Sequence, residues 1–292
     1  MHTITRYRMS CRAGTFLFFG VLFLGATSIA GADAGQEALE QAIESFTARQ
    51  KMTTLLPELN ASVAIEVQDL LLMKLAPDYG GVAGYLCELA GDGQTVVAPV
   101  LENMFTSSGA TLYGAMGSEQ SAQLGWLLRV RGGGVGGVGP APSIHGYFSE
   151  LIPAVLVRDR LLREQQQDLW AALTVVNAGA RYLVLGAPWP IPEVGGVGFL
   201  SGPMEAGLAD RAGEILTNGY GLLRNQGPLS ALTELQELLA ARGRTLRAGD
   251  LVSLGSVGSA VVLEGVGRLT ARFSTVLGER RIVFALRPPG SG

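Results

Sequence analysis

Few residues in this 292-residue chain could do chemistry, and they stand far apart. Beyond residue 32 there is one histidine, His145, between Ile144 and Gly146, and one cysteine, Cys87, inside an apolar stretch. A Ser/His/Asp or Cys/His nucleophile would have to use His145, and no G-x-S-x-G accompanies it. His145 therefore reads as a loop residue, Cys87 as a small buried hydrophobe, and Ser256 and Ser259, beside glycines, as turn residues. Two carboxylates at i and i+2 share one face of a strand and could hold a hard divalent cation, which needs charged oxygens. No two acidic residues stand two apart in this sequence. Asp159, between Arg158 and Arg160, reads as a salt-bridged surface group. The run Gly132-Gly133-Gly134-Val135-Gly136-Gly137-Val138-Gly139 lacks the Lys-Ser/Thr and helix start of a phosphate-binding loop and reads as a mobile loop.

The elements that must position these groups follow from periodicity. Leu39, Ala42, Ile43 and Phe46 predict a helix over 36–49, and Val63, Val67, Leu70 and Leu71 a second over 61–75. Pro77 to Gly81 then break the helix, and 82–89 reads as a strand. Further strands are predicted over 123–130, 181–186, 208–216, 251–254, 267–273 and 281–286. A helix over 228–242 carries Leu229, Leu232, Leu235, Leu238 and Leu239 on one face, with proline at its start and Gly243 at its end. The fold class is α+β with mostly antiparallel strands and no internal repeat.

The first 32 residues hold Arg6, Arg8 and Arg12, no acid, an apolar run from Phe16 to Leu24, and Ala30-Gly31-Ala32 before Asp33. That is the layout of a cleavable secretion signal, with an apolar run shorter than the roughly 20 residues of a membrane span. Export to the periplasm or medium is expected, with no membrane partner after cleavage. The chain has 22 basic and 25 acidic residues; losing three arginines leaves 19 against 25, a net of −6, which argues against a nucleic-acid partner. With Cys87 alone remaining, no intramolecular disulfide can form.

The C-terminal stretch is the most specific. Gly227-Pro228-Leu229 opens the leucine helix, and Leu246-Arg247-Ala248-Gly249-Asp250-Leu251-Val252-Ser253-Leu254-Gly255-Ser256 follows it. This resembles the 2-keto-4-pentenoate hydratase branch of the fumarylacetoacetate hydrolase family, whose members carry L-x-x-G-D-h-h-x-x-G-S there, h being apolar. Weaker likeness runs through Asn218-Gly219, 177–186, Pro153-Ala154 and the helix around 65–68. The resemblance implies a mixed β-roll with an N-terminal helical layer. In active members it also implies magnesium or manganese, held by a Glu-x-Glu pair and a Glu after Pro-Ala-x, which would bind a 2-oxo acid and stabilise an enolate.

Those ligand positions fall on Ser121, Gln123 and Leu156. The family lysine falls on Leu86, and the carboxylates before Asn177 fall on Ala172 and Val176. The reading is therefore an exported, catalytically degenerate pseudoenzyme, a small-molecule-binding or structural component without cofactor and without catalytic residues. Glu88, Gln123, Asn177, Tyr220 and Arg158 are candidates for the pocket lining around a small carboxylic acid. The alternative is a metal-dependent 2-oxo acid hydratase or decarboxylase, a lyase whose rearranged site draws on Glu88, Glu119 and Asp159. A third reading is a docking protein using the glycine loop and Pro188-Trp189-Pro190-Ile191-Pro192. The organisation expected is signal 1–32, helical region 33–80, hydratase-like domain 81–287 and tail 288–292, with a homo-oligomer compatible with 48% apolar and 16% charged residues. Expressed with its full N-terminus in a bacterium, the chain is expected in the periplasmic fraction with Asp33 at or near its N-terminus by intact-mass spectrometry; an uncleaved chain in the cytosol would overturn export.

Overall fold

The computed structural model describes residues 29–91, 93–114, 118–131, 146–164, 166, 168–191, 202–221, 227–263 and 267–287. Most of the expected signal, the glycine run 132–139, His145, Pro192 and the tail 288–292 lie outside the described residues.

Helix α1 (Ile29–Ala48) buries Ala38, Leu39, Ala42 and Phe46, the 3.6-residue stripe expected of a surface helix. Helix α2 (Ala61–Tyr79) starts where the Asn60 side chain accepts from the Val63 amide at 3.0 Å. It runs through Pro77, further than the sequence suggests, because near the C-terminal end a proline removes only one backbone bond. A third helix, α3 (Leu169–Val175), is capped by Asp168, whose carboxylate accepts from the Ala171 amide at 2.9 Å.

These three helices cover one face of an eight-stranded sheet. Its order is β2 (Thr95–Leu101), β1 (Val82–Leu89), β11 (Leu251–Val262), β5 (Glu119–Val130), β6 (Phe148–Arg160), β7 (Ala180–Leu185) and β3 (Phe105–Ser107), with β8 (Trp189–Pro190) also on β6. Its other face packs on a five-stranded sheet ordered β10 (Ile215–Tyr220), β9 (Glu205–Ala209), β12 (Arg268–Thr275), β13 (Gly278–Arg287) and β4 (Thr111–Tyr113). Pairing is antiparallel except for β1 with β11, β3 with β7 and β4 with β13. The class is α+β, as the sequence indicates.

Two cores result. Between the sheets lie Leu124, Trp126, Val155, Trp189, Phe273 and Phe284, joined by Leu232, Leu235 and Leu239 of helix α4 (Gly227–Ala241). Between the helices and the large sheet lie Phe46, Val67, Leu71, Leu86, Leu127, Leu156 and Val175. Sandwiching the large sheet buries both faces of β5 and β6, so their apolar residues do not alternate. That is why β6 escaped the periodicity reading. The strand expected over 208–216 is a hairpin: Asp210 accepts from the Glu214 amide through its side chain at 2.9 Å, turning the chain between β9 and β10. Trp189 and Ile191 are 1% and 3% exposed, so this part of the proline-rich segment belongs to the core and is not a free docking strip.

One buried polar centre joins the layers. The Asp159 side chain is 0% exposed and accepts from Arg181 Nε at 2.7 Å, Arg49 Nε at 3.3 Å and Gln120 Nε2 at 3.0 Å. Arg181 in turn donates to the Phe46 carbonyl at 2.6 Å and the Tyr79 hydroxyl at 3.1 Å, its guanidinium 3.7 Å from the Phe46 ring centroid. Asp159 is thus salt-bridged as expected, but buried near the end of β6 and not on the surface. Asp159→Asn leaves the buried Arg181 and the half-buried Arg49 without a counter-charge and should cost about 3–5 kcal/mol, measured by denaturant unfolding; a loss under about 1 kcal/mol would show that the centre is dispensable.

Candidate functional site

Ser121 and Gln123 stand two apart on β5 and share a face. On β6 the register partner of Gln123 is Leu156, and that of Ser121 is Arg158. The three positions singled out by resemblance therefore meet on one patch, and that patch looks toward the helical layer. It is filled, not open. Leu156 is 1% exposed, and a Cβ built on Gly125 would stand 2.9 Å from the Leu156 Cδ1. The glycine is what lets the leucine lie flat across β5.

Glu88 faces the same patch from β1. Ser253 on β11 is the partner of Leu86, and Ser256 further along β11 is the partner of Gly125. The Ser256 hydroxyl donates to the Glu88 carboxylate at 3.4 Å. Glu88 also forms an ion pair with Arg158, the two side chains 12% and 17% exposed. Strands β1 and β6 are three steps apart in the sheet, about 14 Å at the usual strand spacing. Both side chains must lean inward over β11 and β5 to meet, which lays the ion pair across Ser256, Gly125 and Gln123.

These residues do not fit a divalent cation. Such an ion needs charged oxygens, whereas Ser121 and Gln123 are neutral, Leu156 is apolar, and the one carboxylate on the patch is already bound to a guanidinium. The other matched positions are apolar as well, Leu86, Ala172 and Val176 being 1–2% exposed. The rearranged set is not assembled either. Glu119 pairs with Arg160 at 2.7 Å and Lys51 at 3.4 Å, Asp159 with Arg181 and Arg49, and Glu88 with Arg158. Among the described residues, no three His, Cys, Asp or Glu side chains come together.

The remaining candidates scatter. Asn177 is 0% exposed, donates to the Pro99 carbonyl at 2.8 Å and accepts from Gln68 at 3.1 Å. Gln68 is bonded in turn by Arg242 at 2.9 Å, so this chain of contacts ties α4 through α2 to β2. Periodicity gave no reason to expect it, although a glutamine on the helix face of Ala64, Val67 and Leu71 was the available signal. Tyr220 lies on the other sheet, 71% exposed, and Cys87 is 2% exposed in the inter-sheet core. Cavities of about 330 Å³ beside Lys51, Met52, Arg163 and Glu164, and about 310 Å³ beside Leu55, Leu56, Pro57, Glu58, Gln166 and Asp168, border the α1–α2 connection and not the Ser121 patch.

The C-terminal motif is a turn that locks β11 onto β5. Gly249 takes φ 92°, the Arg247 amide donates to the Asp250 carboxylate at 2.7 Å, and Gly249 and Asp250 exchange backbone bonds with Val130 at 2.9 Å. Burial pushes the Asp250 carboxyl above its ordinary value, partly offset by the Arg247 amide and charge. Burial, with Asp250 nearby, also raises the Tyr85 phenol.

No family model and no curated protein matches the sequence. Solved structures do share its fold. The 4-oxalocrotonate decarboxylase from Pseudomonas putida G7, complexed with calcium and acetate, superposes with a TM-score of 0.69 at 14% identity, over 88% of this chain and 98% of that one. A putative fumarylacetoacetate isomerase/hydrolase from Oleispira antarctica gives 0.52 at 9% identity, over 70% and 93%. Fumarylpyruvate hydrolase from Pseudomonas aeruginosa, with Mn2+ and pyruvate, gives 0.50 at 16%, over 70% and 88%. The fold is that of fumarylacetoacetate hydrolase proteins.

The raised Asp250 carboxyl fixes the sign of a pH effect. Because the folded state holds this proton more tightly than the unfolded chain, Asp250 favours folding most at low pH, and that advantage is lost as pH rises through the shifted value. The stability of the wild type relative to Asp250→Asn should therefore fall as pH rises above the ordinary aspartate range in denaturant titrations; a difference that is flat or rises with pH would contradict it.

Proposed function

We propose that this chain is an exported relative of the 2-keto-4-pentenoate hydratases that has lost metal-dependent catalysis and serves as a small-acid-binding or structural component outside the cytoplasm. The observation that carries the reading is the Glu88–Arg158 ion pair lying across Ser121, Gln123 and Leu156. Where a metal-dependent relative needs three carboxylates around a cation, this chain has one carboxylate closed on an internal cation. The filled patch favours the structural role; a small carboxylic acid would have to displace Glu88 from Arg158, whose guanidinium matches a carboxylate with paired donors. Export rests on the N-terminal segment of the sequence.

The second reading, a divalent-metal-dependent 2-oxo acid hydratase or decarboxylase with a rearranged site, draws support from the activities named for proteins of the same fold. The separate ion pairs of Glu88, Glu119 and Asp159 weigh against it. Calorimetric titration of the mature chain with magnesium and with manganese, followed by assays of 2-hydroxypenta-2,4-dienoate hydration and of 4-oxalocrotonate decarboxylation, separates the two. No metal-binding heat and no turnover are expected; metal-dependent turnover with either substrate would overturn the first reading.

A further inference from the structure

Two oppositely charged surfaces lie at opposite ends of the layer stack. On α1, Asp33, Glu37, Glu40 and Glu44 are all exposed. Their spacings of four, three and four residues put them in one stripe along the outer side of the helix, opposite Ala38, Ala42 and Phe46, which are buried against the sheet. The stripe is about 16 Å long at 1.5 Å per residue. Gln36 and Gln41 donate to Glu40 and Glu37, but among the described residues no lysine or arginine pairs with any of the four.

On the outer face of the five-stranded sheet stand Arg268 and Arg272 of β12 and Arg281 and Arg287 of β13, all exposed. Their in-facing neighbours Leu269, Ala271, Phe273, Ile282, Phe284 and Leu286 are buried, which fixes the arginines outward. Arg272 is the direct register partner of Arg281, a like-charge pair that costs stability in an isolated sheet. Its partner on the other side is Gly207, which offers no side chain to separate or neutralise the pair. From Arg268 to Arg272 is about 13 Å along the strand. Among the described residues none of these four arginines meets a carboxylate.

We propose that these two surfaces bind each other between copies of the chain, the acidic stripe of α1 in one molecule seating on the arginine face of the next. They are opposite in sign, the arginines extending about 20 Å from Arg272 and Arg281 to Arg287 against about 16 Å of stripe, and the arginines outnumber the two exposed carboxylates of their own face, Glu205 and Glu279. They also point in opposite directions within one molecule, because the helices cover one face of the large sheet and the small sheet covers the other. They cannot neutralise each other intramolecularly. The contact joins different surfaces of identical molecules, so it is head-to-tail and extends into a ring or a filament. All four carboxylates lie at or after Asp33, so removal of the signal at Ala32 leaves the stripe intact.

The test is sedimentation velocity of the full mature chain over a range of concentrations. At low ionic strength the wild type should sediment faster as concentration rises, and in about 0.5 M salt it should sediment as a monomer, the Debye length then being well under 10 Å. Glu37→Arg/Glu40→Arg and Arg272→Glu/Arg281→Glu, both at exposed positions, should each remain monomeric at low salt while keeping the wild-type circular dichroism. An equimolar mixture of the two variants should associate again, since each now presents the charge that the other lacks. A wild type that stays monomeric at low salt, association unchanged in either variant, or a mixture that fails to associate would each overturn the proposal.

Discussion

The buried carboxylate of Asp159 is the constraint on which the rest of the arrangement depends. Moving a carboxylate out of water costs several kcal/mol unless donors replace the lost hydration. Here Arg181, Arg49 and Gln120 supply them from β7, the end of α1 and β5. Arg181 can do so only with its other nitrogens occupied by the Phe46 carbonyl and the Tyr79 hydroxyl, which brings in the ends of α1 and α2. The helical layer and the sheet must therefore be in register for this ion to be tolerated at all.

That register also builds the candidate site. Successive side chains on a strand point to opposite faces, so holding Asp159 in its centre directs Arg158 and Leu156 to the face shared with Ser121 and Gln123. A slip of one residue would put Arg158 where Asp159 is and leave Glu88 without its partner. The ion pair over the patch is thus a consequence of the strand pairing that the buried centre enforces, and the patch is closed by the same packing that stabilises the fold. A scaffold can be kept while the chemistry on it changes, because the glycine turns and core residues are held by folding and the site residues by function.

Legibility in the sequence followed burial. Helices α1, α2 and α4 were readable because each has one wet side and one dry side, and β1 and β5 because turn residues or glycine bound their apolar runs. Strands β2 and β6 were not, since an element covered on both sides has no polar beat for a period to show, and α3, with seven residues, is too short to show one. The β9–β10 hairpin merged into one predicted strand because its turn, 210–214, is short and lies between apolar residues of both arms. At the site, the positions of Ser121, Gln123 and Leu156 could be named from the family resemblance, but what covers them could not. Arg158 and Glu88 are 70 residues apart, and Arg49 and Asp159 110.

The sequence by itself determined the inventory: no carboxylates two apart, one cysteine and one histidine beyond the N-terminal segment, and a turn motif whose Gly249-Asp250 step can be satisfied locally. Those properties depend on residue type and near neighbours, which a linear reading contains. Only the tertiary structure decided that Asp159 is buried, that Asn177 serves the scaffold, that Glu88 and Arg158 neutralise each other, and that four carboxylates and four arginines face opposite ways. Each of these depends on strand order and on which face of a layer meets solvent. Both are set when distant segments pack together, and no local period records them.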